Sequence, residues 1–259
     1  MIKLVAADMD GTLLNSRKEL PPDFETWVIS RPEIRMAIAS GRQYYTLYEN
    51  FGPAVRDKLL YIAENGALVF ERGEVLYKNV MSPAGVAECL RTAQSLAGVY
   101  PILCGVKSAH MVHAPDNVEE QARMYYHRLD YPEALESVLS EDEIVKIALY
   151  IEEYKAAETV SAFQGLEPRF HPVVSGPDWI DIANASVSKG AALRSIQERY
   201  GLSPNECAAF GDYMNDYALL QACGESYAMA NACAELKAVA KRLTASNDDD
   251  GVMKVLRSL

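Results

Sequence analysis

A chain of 259 residues, 49% of them hydrophobic, can bury one large core or two smaller ones. Its formal net charge of −11 repels nucleic-acid backbones and anionic membrane surfaces, so neither is expected as the main partner, and a small anion could bind only where charge is locally reversed. Five cysteines, Cys89, Cys104, Cys207, Cys223 and Cys233, are odd in number and form no C-x-x-C pair, which argues against a disulfide framework or a zinc site and for reduced, mostly buried thiols.

The apolar run 2–7 reads as a buried parallel strand. Asp8 arrives before a signal-peptide core could develop, and no stretch approaches the roughly 18 apolar residues of a membrane span, so a cytoplasmic location is expected. The run ends in Asp8-Met9-Asp10-Gly11-Thr12. Two acids at i and i+2 point to the same side of an extended chain, so either one keeps its proton or a cation sits between them. The plainer alternative is an Asp-rich capping turn.

Residues 34–39 read as a second strand, ending at Ser40-Gly41-Arg42 and leading into a helix over about 43–51. Residues 60–63 form a third, closed by Glu64-Asn65-Gly66, where the Asn-Gly pair favours a tight turn into 67–70. From about 83 to 184 the texture changes to helices such as 83–96 and strands such as 146–152, without acidic or Ser-Gly loops at strand ends, which marks an inserted domain. The parallel pattern then resumes. Ser188-Lys189-Gly190 opens a helix that runs to a Gly201 cap, and the strand 207–210 ends in Gly211-Asp212-Tyr213-Met214-Asn215-Asp216. Residues 227–230 read as the last core strand and 252–256 as a closing helix. Asn247-Asp248-Asp249-Asp250-Gly251 has Ser258 where an EF-hand needs Glu, so it reads as a solvated turn and helix cap.

In open α/β sheets the ligand site lies beyond the carboxyl ends of the strands, where strand order switches. If the three acidic or hydroxylic strand ends share one parallel sheet, Asp8, Asp10, Ser40, Asp212, Asn215 and Asp216 converge there. Four carboxylates cannot stay ionised together without a cation, and an all-oxygen set selects a hard one, Mg2+. Gly41 and Gly211 let backbone amides approach an anion, the helix after Ser40 offers its positive end, and Lys189 adds a point charge. Such a set describes a phosphoryl site with Asp8 free to attack phosphorus and Asp10 as a proton carrier.

"DMDGTLL" at Asp8, "ASGR" at Ser40, "ENGA" at Asn65, "SKG" at Lys189, "GDYMND" at Asp212 and "NDDDGV" near the end together resemble the haloacid dehalogenase superfamily, specifically its Cof-type phosphatases. The resemblance implies an Asp8 nucleophile that forms an aspartyl-phosphate and an Asp10 general acid and base. It implies that Met9, Ser40, Gly41, Lys189 and Asn215 serve the phosphoryl group. Mg2+ would be held by Asp8, Asp212 and the Asp10 backbone carbonyl, with Asp216 orienting Lys189 or a metal-bound water. Thr12 and Arg42 are supporting positions, and Arg42 stands equally as a substrate contact or the partner of an acid. The implied fold is α/β: a Rossmann-like parallel-sheet core, residues 1–82 and 185–259, with an inserted α/β cap, residues 83–184, that selects the substrate. Ala230 departs from the pattern, which usually has Gly there.

The function expected is a Mg2+-dependent phosphatase of small phosphomonoesters, sugar phosphates or related metabolites, acting as a monomer or weak homodimer. The alternatives are a phosphotransferase or mutase of the same superfamily and a non-enzymatic receiver module phosphorylated on Asp. His110 and His113, at i and i+3 on an expected strand, point to opposite faces and read as surface or core histidines. Tyr44, Tyr45 and Tyr48 read as packing.

Overall fold

In the computed structural model, which describes residues 1–166 and 169–259, the first strand, β1 (Leu4–Asp8), is buried at every position. A continuous apolar run of this kind suits a parallel strand covered on both faces. In chain order follow β2 (Arg35–Ala39), β3 (Leu59–Ala63), β4 (Leu68–Glu71) and β5 (Glu74–Lys78). Then come β6 (Val99–Gly105), β7 (Ala109–His110), β8 (Leu129–Asp130), β9 (Ile144–Ile151), β10 (Phe170–Gly176) and β11 (Trp179–Asn184). The chain closes with β12 (Cys207–Gly211), β13 (Glu225–Ala228) and β14 (Arg242–Leu243).

The described chain divides into two compact units, residues 1–77 with 188–259 and residues 78–187. The first carries an eight-stranded sheet in the order β14-β13-β12-β1-β2-β3-β4-β5. Pairing is parallel from β14 through β3 and antiparallel between β3 and β4. From β1 the chain builds outward through β2 and β3 on one side and β12 to β14 on the other, so β1 is the switch point at which such sheets bind ligands. One face buries Leu4, Ala6, Ala37, Leu60 and Ile62 against Ala192, Leu193 and Ile196 of the helix Lys189–Tyr200. That helix is capped as its sequence suggests: the Ser188 side chain accepts the Ala191 amide at 3.0 Å, and Gly201 ends it with φ +61°.

The second unit has a six-stranded sheet, order β10-β11-β9-β6-β7-β8, antiparallel except between β7 and β8. Alternation along β9 sends Ile147 and Leu149 to one apolar cluster and Ala148 to another. Residues 167 and 168 of the expected insertion lie outside the described residues. Among those described, no helix is long and apolar enough to cross a membrane.

Three element expectations shift. The strand expected over 227–230 as the last of the core is β13, residues 225–228, and β14 follows it in the sheet; the Met229 amide still donates to the Gly211 carbonyl of β12 at 3.1 Å, but the Ala230 amide turns away to the Ala245 carbonyl at 3.4 Å. The helix expected over 43–51 is the six residues Tyr44–Glu49. His113 lies beyond β7, so the two histidines share no strand; His110 contacts the Asp142 carboxylate and His113 that of Glu119, each at 3.0 Å. Tyr44 is packing as expected, stacked on Phe70 with ring centroids 3.9 Å apart.

Candidate active site

The ends of β1 and β12 and the start of the helix Lys189–Tyr200 bring four charged groups together. Asp8 is the last residue of β1, and Lys189, the first residue of the helix, is fully buried. The Lys189 ammonium donates to Asp8 Oδ1 at 2.5 Å and to Asp216 Oδ1 at 2.6 Å. Asp216 Oδ2 accepts the Asp212 amide at 3.0 Å and the Tyr213 amide at 3.3 Å. Asp216 therefore aims Lys189 and also ties down the loop that carries Asp212.

Asp212 faces Asp8 across this loop. Thr12 Oγ1 donates to Asp212 Oδ1 at 3.0 Å. Gly11 has φ +81°, and a Cβ there would fall 2.4 Å from Asp212 Oδ2, so both the backbone and the close approach require glycine. One oxygen each of Asp8, Asp212 and Asp216 lies within 4.8 Å of the others.

Burial, then the charge of Asp216, pushes the Asp8 carboxyl well above its ordinary range, with Lys189 opposing them. Burial and Asp216 likewise raise Asp212, against the Thr12 hydrogen bond. Lys189 would lose its proton more easily through burial alone, but Asp8 and Asp216 hold it above its ordinary value. The acids are thus crowded beyond what one ammonium relieves. An all-carboxylate oxygen set with unrelieved negative charge fits a hard divalent cation such as Mg2+.

Asp10 has cationic partners of its own. Arg42 grips it with Nε at 2.8 Å and Nη2 at 2.6 Å, and Lys18 Nζ adds a third contact at 2.8 Å. Burial raises its pKa, but the hydrogen bonds from Lys18 and Arg42 outweigh that and the net shift is downward. Arg42 is therefore the partner of an acid in this structure.

The remaining expected residues take different positions. Ser40 is buried at the end of β2, its Oγ accepting the Arg42 amide at 3.2 Å. Met9 is fully buried, with its side chain in the core. Asn215 donates from Nδ2 to Asn65 Oδ1 at 3.3 Å.

Two glycines at the site also stand against side chains. A Cβ at Gly41 would stand 3.0 Å from Asn65 Nδ2, and one at Gly211 would meet Asp216 Cβ at 2.4 Å. Each makes room for a side chain. The helix expected to follow Ser40 begins at Tyr44 and is six residues long, so its dipole is short.

Sequence reasoning missed the asparagines that brace the Asp8 loop. Asn231 Nδ2 donates to the Gly11 carbonyl at 2.8 Å, and Asn247 Nδ2 donates to the Leu14 carbonyl at 2.9 Å. Asp248 Oδ1 accepts the Ser16 amide at 2.8 Å. The run at 247–251 does start a helix, Gly251–Leu256, but it also ties the loop that follows β1 and is more than a solvated turn. Its position in the "NDDDGV" motif was the available signal. Ala230 is not among the residues with positive φ, so this backbone accepts alanine in place of glycine.

The sequence profile of the haloacid dehalogenase-like hydrolases matches residues 5–256. The 5-amino-6-(5-phospho-D-ribitylamino)uracil phosphatase YbjI of Escherichia coli K12 is 31% identical over 260 residues, 98% of this chain and 95% of the relative. Phosphatase YwpJ of Bacillus subtilis 168 is 25% identical, with 100% of both chains covered. The solved structure of TM0651 from Thermotoga maritima shares the fold, with a TM-score of 0.88 at 24% identity over 100% of this chain and 98% of that one. With a profile match over nearly its whole length and relatives that are themselves phosphatases, the chain belongs to the haloacid dehalogenase-like hydrolases, as a phosphatase of the Cof type.

Proposed function

We propose that the chain is a Mg2+-dependent phosphatase of small phosphomonoesters, sugar and polyol phosphates among them, working through an aspartyl-phosphate on Asp8. The observation that carries the reading is the buried Asp8–Lys189–Asp216 chain at the end of the central strand. A desolvated carboxylate beside a fixed ammonium suits attack on phosphorus, because the ammonium can receive the phosphoryl oxygens as charge builds on them. Mg2+, when held by Asp8, Asp212 and the Asp10 carbonyl, would neutralise the crowded acids and the phosphoryl oxygens.

In the first half of the reaction an Asp8 oxygen bonds to phosphorus, the bond from phosphorus to the leaving oxygen breaks, and Asp10 gives that oxygen its proton. In the second half Asp10 takes a proton from water, whose oxygen attacks phosphorus and releases Asp8 and inorganic phosphate. Lys189, Ser40 and the amides of Met9 and Gly41 hold the phosphoryl oxygens through both halves, and Asn215 assists. The contacts of Arg42 and Lys18 favour ionised Asp10, so they prepare it for the second half and oppose its protonated form in the first.

These groups see only the phosphoryl end of a substrate. Residues 83–184 would choose the leaving group, as a cap. The Escherichia coli relative acts on a phosphate carried by a ribityl chain, which supports polyol phosphates as candidates. The test is phosphate release from a panel of phosphorylated sugars, polyols and nucleotides with Mg2+. Inertness of the whole panel, p-nitrophenyl phosphate included, would sink the reading.

A further inference from the structure

Three consecutive residues, Glu64, Asn65 and Gly66, have φ of +50°, +55° and +101°. A left-handed run suits Gly, is tolerated by Asn and is unfavourable for Glu. Such backbone persists only where its surroundings over-determine it, and it gathers at functional sites. Here the surroundings are three segments of the phosphoryl site. The Glu64 amide donates to the Arg42 carbonyl at 3.1 Å and the Asn65 amide to the Ser40 carbonyl at 3.0 Å. Gly66 lies so close to the start of the Lys189 helix that a Cβ would come within 2.3 Å of the Ser188 carbonyl oxygen. The Asn65 carboxamide fills the open face of Gly41 and accepts from Asn215 at 3.3 Å.

We propose that Asn65 is a positioning residue of the phosphoryl site, acting through Asn215 and the Ser40–Gly41 loop. The inference rests on the phosphatase reading and assigns a role to a residue that reading does not use. Accepting from Asn215 Nδ2 fixes the plane of the Asn215 carboxamide, and with it the directions of its second N–H and its oxygen. The same Asn65 side chain, lying against Gly41, sets the position of the loop that carries Ser40. The left-handed turn is the device that brings a carboxamide to this point, since an extended backbone at 64–66 would lose the contacts to Ser40 and Arg42.

Asn65→Gly separates the role from the fold, because glycine adopts the left-handed backbone freely while the carboxamide is lost. With p-nitrophenyl phosphate and Mg2+, this variant should lose about 10- to 100-fold in kcat/KM, mostly in kcat, at an unchanged melting temperature. Asn65→Gly should cost clearly less in an Asn215→Ala background than in the parent, only the part carried by the Ser40–Gly41 loop remaining, a coupling that a merely structural turn would not produce. Gly41→Ala, which crowds Asn65 from the opposite side, should show a similar loss in the parent and none beyond it in the Asn65→Gly background. That variant carries the test should Asn65→Gly fail to fold. Parent-like kinetics for Asn65→Gly, or losses that multiply with those of Asn215→Ala, overturn the proposal. A parent protein that releases phosphate from no ester overturns the phosphatase reading and this inference together, whereas an active parent with an unaffected Asn65→Gly overturns this inference alone.

Discussion

Lys189→Met tests the buried charge arrangement directly. Methionine nearly preserves length and packing, but Asp8 and Asp216 lose the ammonium that lies 2.5 and 2.6 Å from them. Lys189 and Asp216 have no exposed surface. Removing one partner from a buried ionic group leaves an uncompensated charge and costs about 3–5 kcal/mol. At about 2–4 °C per kcal/mol for a chain of this size, the melting temperature should fall by about 6–20 °C near pH 8 in metal-free buffer.

The loss should depend on pH with a definite sign. Burial and Asp216 already raise the folded pKa of Asp8, and loss of Lys189 raises it further. A group whose folded pKa is raised contributes stability that is complete below its unfolded pKa and is lost as pH rises through the folded one. The deficit relative to the parent should therefore be largest near pH 8 and shrink towards about pH 5. Adding Asp216→Asn should recover part of it. Calorimetric melting across this range in the presence of a chelator is the assay, and a deficit that is negligible or independent of pH refutes the reasoning.

Asp8→Asn should fold and melt like the parent while phosphate release falls by several orders of magnitude; turnover near the parent's would remove Asp8 from the nucleophile's role. Activity should vanish on chelation and return with Mg2+, with Ca2+ a poor substitute, and Asp212→Ala should raise the Mg2+ concentration required; full activity after exhaustive chelation counts against the metal. Arg42→Ala removes contacts that lower the Asp10 pKa, so the basic limb of kcat/KM against pH, where Asp10 must keep the proton it gives the leaving group, should move upward, and a limb that stays put argues that Asp10 does not titrate in catalysis.

The acids at the ends of β1 and β12 were readable because chemistry-bearing residues stand out where an apolar run stops. That these strands share one parallel sheet was posed only as a condition, and β1 meets it by pairing in parallel with both β2 and β12. What was not readable depends on partners far along the chain. Gly41 and Gly211 suggest exposed amides from their own neighbourhoods, yet the groups that need the space belong to Asn65 and Asp216. The grip of Arg42 on Asp10 spans 32 positions, and either of its two readings was consistent with the local sequence. β13 was set two residues late because apolarity continues through Met229 and Ala230, past the end of the strand at Ala228. β14, two exposed residues long, has no pattern to find.

The loop after β1 is fixed from the C-terminal part of the chain, which bears on how the proposed metal site would be set. Asn231 holds the Gly11 carbonyl, Asn247 the Leu14 carbonyl, and the Asn231 Oδ1 accepts the Asn247 amide at 3.1 Å, so the two asparagines act as one brace. A trans peptide is planar, so fixing the Gly11 carbonyl also fixes the plane in which Thr12 begins. Thr12 in turn directs Asp212 through its hydroxyl. The orientation of Asp212 is thus set from one side by Asp216 through the Asp212 amide, and from the other by a chain of contacts running from Asn231 through Gly11 and Thr12. Asn231→Ala should accordingly act on the Mg2+ requirement more than on phosphate affinity, measured as the metal concentration for half-maximal activity against the inhibition constant of inorganic phosphate. Equal changes in the two would mean that the brace supports the loop as a whole rather than its metal-facing acid.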